Sequence, residues 1–113
     1  MRKYVPRRGD LLWLDFSPQA GSEQAGHRPA FVVSPETYNR KTGLAVVCPV
    51  RSRSKGYPFE VRIPEHSEIE GVVLSDQLKS LDWRTRGAEF ILRLPADVVA
   101  EVLGKIAVLV RPD

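Results

Sequence analysis

The sequence predicts a mainly β domain: six or seven short strands forming a small twisted sheet or half-open barrel, followed by one C-terminal α-helix. Three observations carry this reading. Short apolar runs recur along the chain, each too brief for a helix and each bounded by proline, glycine or small polar residues. Nine prolines and eight glycines, most of them before residue 72, punctuate the 113 residues too often for a helical bundle. Only after Pro95 do the apolar positions change to spacings of three and four.

The elements follow in order. Leu11-Leu12-Trp13-Leu14-Asp15-Phe16 is a short, aromatic, buried strand ended by Ser17-Pro18, and Gln19 to Gly26 is a loop of small and polar residues. A second strand runs from Pro29 to Pro35, with prolines at its ends where strands tolerate them. Glu36 to Gly43 reads as a polar connection, and Leu44 to Val50 as a third, wholly apolar strand. In a fourth strand, Tyr57 to Ile63, Phe59, Val61 and Ile63 alternate with Glu60 and Arg62, which gives one buried and one wet face. An acidic loop, Glu65 to Glu70, leads to strands at Gly71–Leu74, Leu78–Asp82 and Ala88–Leu94, with the basic connection Trp83 to Gly87 before the last. Val98, Val99, Val102, Leu103, Ile106, Ala107 and Val110 then mark the apolar stripe of a helix that starts after Pro95 and ends at Arg111-Pro112.

A chain of this length fits one domain, residues 1–113, and its 42% hydrophobic and 27% charged residues are those of an ordinary globular protein. The net charge of +3 is compatible with a nucleic-acid partner without requiring one. Twelve of the seventeen cations are arginine, whose planar donor fork suits phosphate, although a compositional bias toward arginine codons would give the same ratio. The lone Cys48 sits in an apolar run and cannot form an internal disulfide. No apolar segment follows the N-terminal charges and none approaches the roughly 18 residues of a membrane span, so a cytoplasmic protein with no membrane partner is expected.

Metal and cofactor chemistry have little support. With two histidines, His27 and His66, and one cysteine there is no zinc spacing, and the six aspartates and eight glutamates form no recognisable metal pattern. There is no P-loop, dinucleotide fingerprint or nucleophile elbow, so no metal and no cofactor are expected. What remains is the loop Glu23-Gln24-Ala25-Gly26-His27-Arg28-Pro29, which gathers a carboxylate, an imidazole and a guanidinium beside small residues that allow close approach of a phosphate. RNA carries its own nucleophile, the 2′-OH. A protein that cuts it needs a base near that hydroxyl, an acid near the 5′-oxygen and cations around the phosphorane. Glu23, His27 and Arg28 cover those tasks, and by spacing alone a solvated polar turn has the same composition.

Two further basic stretches are open to both readings. Arg51-Ser52-Arg53-Ser54-Lys55 can grip an RNA backbone, with the Ser52 hydroxyl donating to a phosphate oxygen, or can form a solvated hairpin tip. Trp83 with Arg84 and Arg86 offers a stacking face and phosphate donors, or is a core tryptophan at a strand end.

Taken together, the blocks Tyr4-Val5-Pro6, Gly9 to Phe16, Gly21 to Ala30, Ser54 to Val61, Ser75 to Ser80 and Trp83 to Gly87 resemble, in order and spacing, the MazF/PemK family of toxin endoribonucleases. The resemblance covers nearly the whole chain. It implies an SH3-like, CcdB/PemK-type barrel that forms a homodimer and cuts single-stranded RNA without metal, leaving 2′,3′-cyclic phosphate and 5′-OH ends. It also implies a MazE-like antitoxin that occupies the RNA groove. Carried over residue by residue, it places Glu23 and Arg28 in cleavage, with His27 beside them, and Asp76-Gln77, followed by Lys79, near the RNA groove. Relatives tend to carry a threonine after the third strand; here Val50-Arg51-Ser52 stands there, and Ser52 is the candidate hydroxyl.

The expected division of labour has Arg28 stabilising the phosphorane and Glu23 or His27 acting as base. Arg51, Arg53, Lys55, Asp76, Gln77, Lys79, Trp83, Arg84 and Arg86 would hold RNA. A CcdB-like gyrase-binding toxin keeps the fold but needs no Glu/His/Arg loop, and a non-catalytic nucleic-acid-binding module uses the same arginines without turnover.

Overall fold

Leu44–Arg51 is the longest strand and the one around which the sheet bends. The computed structural model describes residues 3–16 and 26–113. Within them the order is β1 (Asp10–Asp15), β2 (His27–Val32), α1 (Glu36–Thr42), β3 (Leu44–Arg51), β4 (Glu60–Arg62), β5 (Val72–Leu74), β6 (Lys79–Asp82), β7 (Glu89–Arg93) and α2 (Ala96–Val110). The sheet runs β4-β5-β3-β2-β1-β7, and β6 also pairs with β3. One edge of β3 takes β2, through Phe31↔Cys48 and its neighbours. The other edge is divided, Leu44 to Val47 pairing with β6 and Val50–Arg51 with β5. An edge shared by two strands forces the sheet to curl, and the result is the half-open barrel expected from the strand count.

Strand alternation then builds two cores from the same strands. Leu11, Phe31, Cys48, Val50, Val61 and Val73 pack on one face, covered by Val102 and Ile106 of α2. Leu12, Leu14, Ala30, Val32, Val47 and Trp83 pack on the other. β1 and β3, buried on both faces, read as nearly continuous apolar runs, β2 is buried only from Ala30 onward, and β4, at the sheet's edge, alternates. Gly71, at φ +131°, admits no side chain, since a Cβ there would lie 2.1 Å from the Arg51 carbonyl oxygen. That close approach lets β5 run against the end of β3.

The segment expected as a polar connection, Glu36 to Gly43, is instead the helix α1. Its seven residues bury only Asn39, so it carries no apolar period to be recognised by. The terminal signals were present: Glu36 in the first turn, Arg40 and Lys41 in the last, and Gly43 closing it in the left-handed region at φ +75°. Fully buried Asn39 ties three segments together. Its amide donates to the carbonyls of Pro6 and Ser34, and its own carbonyl accepts from the Trp83 indole.

Two other expectations shift. Tyr57 to Phe59 form a turn into a shorter β4, with the Glu60 N–H donating to the Tyr57 carbonyl. The α2 stripe buries Val102 and Ile106 but leaves its last member, Val110, exposed, next to Val108 and Leu109 off the stripe.

Candidate functional site

His27 and Arg28 open β2, and successive residues of a strand leave it on opposite faces. His27 stacks on Trp13, rings 12° from parallel with centroids 6.1 Å apart, and its Nε2 lies 3.9 Å from a Glu89 carboxylate oxygen on β7. Arg28 departs on the other side, and its Nε is buried with no hydrogen-bond acceptor among the described residues. Both residues nevertheless line one shallow cleft of about 290 Å³ at the end of β2, together with Val50, Ser52 and Glu70. The structure thus brings Ser52 to His27 and Arg28 across 24 residues of sequence. Glu23 lies outside the described residues.

A buried guanidinium N–H without an acceptor is rare in a folded protein, because the lost hydration is not replaced. Here the donor belongs to a residue facing an open cleft beside a serine hydroxyl. An oxyanion in that cleft would find the Arg28 guanidinium and the Ser52 hydroxyl as donors, with the Glu70 carboxylate on the wall as an opposing charge.

The basic stretch after β3 is organised around an anion of its own. Glu60 accepts hydrogen bonds from the Ser54 hydroxyl at 2.6 Å, from the Lys55 N–H at 2.9 Å and from the Gly56 N–H at 3.1 Å. The Arg51 guanidinium donates to the same carboxylate at 3.0 Å and lies 5.7 Å from the centre of the Tyr57 ring. The Ser54 hydrogen bond foremost, then those from the backbone, and the charge of Arg51 hold the Glu60 carboxyl below its ordinary range. Arg51 is therefore committed to Glu60, while Arg53 and Lys55 extend exposed from the loop so fixed.

The remaining candidates divide by place. Asp76 and Gln77 are exposed on the β5–β6 turn, and Lys79 stands on β6 with its ammonium 5.9 Å from the Phe16 ring centre. Arg86 donates to the Asp15 carbonyl, the cross-strand partner of His27, so it belongs to the His27 end of the sheet. Trp83 does not offer the stacking face expected of it: the ring is 8% exposed in the second core and its N–H is spent on Asn39. Arg84 lies across that ring at 5.1 Å and donates to the Arg40 carbonyl. The pair belongs to the α1 end of β3, where Asp82 faces Leu44, opposite to Ser52. Glu60 and Glu89, which sequence reasoning did not single out, are the partners that hold the basic loop and face His27.

These features define a small SH3-like barrel with a cleft at its strand ends lined by His27, Arg28, Ser52 and Glu70. The description of PemK-like, MazF-like toxins of type II toxin–antitoxin systems matches residues 7–110, and the chain belongs to that family. It is 50% identical over 108 residues to the endoribonuclease toxin MazF of Escherichia coli K12, covering 96% of each chain. The crystal structure of MazF (Form-I) from Deinococcus radiodurans superposes with a TM-score of 0.88 at 58% identity, covering 96% of this chain and 98% of that one. The MazE–MazF crystal structure (Form-III) from the same organism matches with a TM-score of 0.89 at 55% identity, over 97% of this chain and all of that one.

Proposed function

We propose that this toxin cuts single-stranded RNA, messenger RNA foremost, at selected sequences and thereby arrests translation. The observation that supports the reading is one cleft that brings Ser52 to His27 and to Arg28, whose buried Nε has no acceptor among the described residues. The 2′-oxygen attacks the adjacent phosphorus as its proton passes to Glu23 or His27. The 2′-O–P bond forms, the P–O5′ bond breaks as the departing 5′-oxygen takes a proton from water, and the products are a 2′,3′-cyclic phosphate and a 5′-OH end. Arg28 neutralises the charge that builds on the phosphorane oxygens. It acts electrostatically, since a guanidinium with a pKa above about 12 is a poor proton donor. Ser52 donates its hydroxyl to the same phosphate, in place of the threonine of relatives. Because the nucleophile is internal to RNA, the reaction requires no metal-bound water.

Substrate is held beyond the scissile bond by Arg53, Lys55, Asp76, Gln77, Lys79 and Arg86, with Arg51 shaping the loop through Glu60. A MazE-type antitoxin is the neutralising partner and competes for the RNA groove. The exposed apolar end of α2, Val108, Leu109 and Val110, fits burial against a second copy in a homodimer. Among the described residues no helix is long and apolar enough to cross a membrane. The cytoplasm, where messenger RNA is translated, is the proposed compartment.

The test is incubation with a long RNA of known sequence in EDTA, with every new end mapped. Discrete 5′-OH ends opposite 2′,3′-cyclic phosphates support the reading. Intact RNA, or ends bearing 5′-phosphate, would sink it.

A further inference from the structure

The reaction cleft does not stop at Ser52. A second cleft, of about 360 Å³, shares Ser52 and Glu70 with it and continues past Arg62, Glu65 and His66. We infer that this second cleft is a nucleobase subsite on the same RNA strand, seating a base next to the scissile bond and selecting one that carries an exocyclic amino group. The inference rests on the RNA-cleaving reading of the first cleft.

Continuity is the first argument. An extended single strand with its phosphate between Arg28 and Ser52 must leave the reaction cleft somewhere, and the surface common to both clefts offers a path at Ser52. The volume falls within the range of ligand-sized pockets, roughly 300–1,000 Å³, and suits one nucleoside rather than a longer segment.

Charge decides what enters. Glu65 and Glu70 put two carboxylates in this cleft, with no ion pair to either among the described residues. Carboxylates only accept hydrogen bonds and repel phosphate, so the cleft is suited to a base edge and not to the backbone. The base edges they favour are those with N–H donors: the amino groups of cytosine, adenine and guanine. Uracil presents one N–H flanked by two carbonyl oxygens, which face the carboxylates unfavourably. Arg62 and His66 add two planar groups on which a base can stack. His66 is presented there by a backbone in the left-handed region, φ +68°, the one residue other than glycine in that region among those described. A turn in which the Ser67 hydroxyl donates to the Pro64 carbonyl at 2.6 Å adjoins it.

The experiment is end-mapping on a long RNA with the wild type, Glu65→Gln and His66→Ala, followed by rates on short oligonucleotides. Wild-type ends should show a position beside the cut from which uridine is depleted. Replacing the preferred base there by its analogue without the amino group should lower kcat/KM about tenfold for the wild type and much less for Glu65→Gln, since one base contact is worth about 1–3 kcal/mol. His66→Ala should raise KM for every base at that position. Both residues are exposed, so the variants should fold, and unchanged thermal unfolding would verify it. Identical base frequencies around the cut in wild type and Glu65→Gln, or equal penalties for the deaminated analogue, would overturn the subsite while leaving the nuclease standing. Absence of any 5′-OH ends from the wild type would overturn both.

Discussion

Ser54 donates its hydroxyl hydrogen to Glu60 across the β3–β4 loop at 2.6 Å, and two backbone N–H groups and Arg51 converge on the same carboxylate. Glu60 thus does for this loop what a bound anion does for a nest of amides: it fixes the backbone and holds Arg53 and Lys55 outward. Glu60→Gln keeps the shape but loses the charge. It is expected to raise KM for RNA several-fold with kcat little changed, because the 53–56 segment loosens while Arg28 stays on β2 and Ser52 stays packed against Gly71 at the end of β3. Steady-state cleavage of one oligonucleotide separates the two effects; an unchanged KM would remove Glu60 from substrate binding.

The same carboxylate sets an acid limit. Its folded pKa is depressed, so its contribution is complete above the unfolded glutamate value of about 4.3 and is lost as pH falls through the folded value below it. Amide resonances of Lys55 and Gly56 should therefore hold steady from neutral pH down to about that value and shift only in more acid solution.

Arg28 combines poor satisfaction with the central place in the cleft. Among the described residues its buried Nε has no acceptor, so it contributes a desolvation penalty with no compensating hydrogen bond from them. Arg28→Met should leave the thermal midpoint unchanged or raised. It should also slow single-turnover cleavage by about a hundredfold to a thousandfold, the usual loss for one oxyanion donor. A fall in stability without loss of rate would reverse this assignment.

How much of this could be read from the chain depended on periodicity. The strands were legible because both cores demand apolar residues: Leu11 to Leu14 and Ala45 to Val50 have almost no other way to be buried. Helix α1 was not, because its buried residue is an asparagine whose partners, Pro6 and Trp83, are remote in sequence. At the site, the adjacency of His27 and Arg28 concealed that a strand sends them to opposite faces, where one meets Trp13 and Glu89 and the Nε of the other has no acceptor among the described residues. The cationic run 51–55 similarly concealed that Arg51 is neutralised by an acid nine residues on. Trp83 was ambiguous between stacking platform and core, and burial decided for the core.

At the start of β1, Asp10 is buried and accepts from the Tyr4 hydroxyl at 2.6 Å, the Arg7 N–H at 3.0 Å and the Arg93 guanidinium at 2.8 Å. Burial first, and then the bond to Asp10, push the Tyr4 hydroxyl far up, so it remains a donor throughout the working range. Asp10→Ala strands these donors and should cost about 2–3 kcal/mol in urea unfolding, less than a fully buried pair because Arg93 is half exposed. Arg93→Ala should cost under about 1 kcal/mol, since water can replace it. Equal losses from the two variants would contradict this ranking.

Cys48 provides a test at the alkaline end. Burial in the first core, with a smaller contribution from the charge of Asp76, pushes its thiol up to about 12. A group whose folded pKa is raised contributes stability in full below its unfolded value, near 8.5, and loses it as pH rises through the folded one. Between about pH 8.5 and 12 the wild type should therefore lose stability that Cys48→Ala does not. At pH 10.5 the difference should reach about 3 kcal/mol, on top of a cavity cost for the alanine that is the same at every pH. The Tyr4 hydroxyl also destabilises the fold in alkali, but it is common to both proteins and cancels in the comparison. Urea unfolding of the pair at pH 7.5 and 10.5 measures the effect, and parallel losses in the two proteins would show that the thiol ionises in place. Native Cys48 should likewise react with iodoacetamide only through opening of the core, so sub-denaturing urea should speed the reaction, and a rate insensitive to urea would mean that reagent is admitted directly near Ser75.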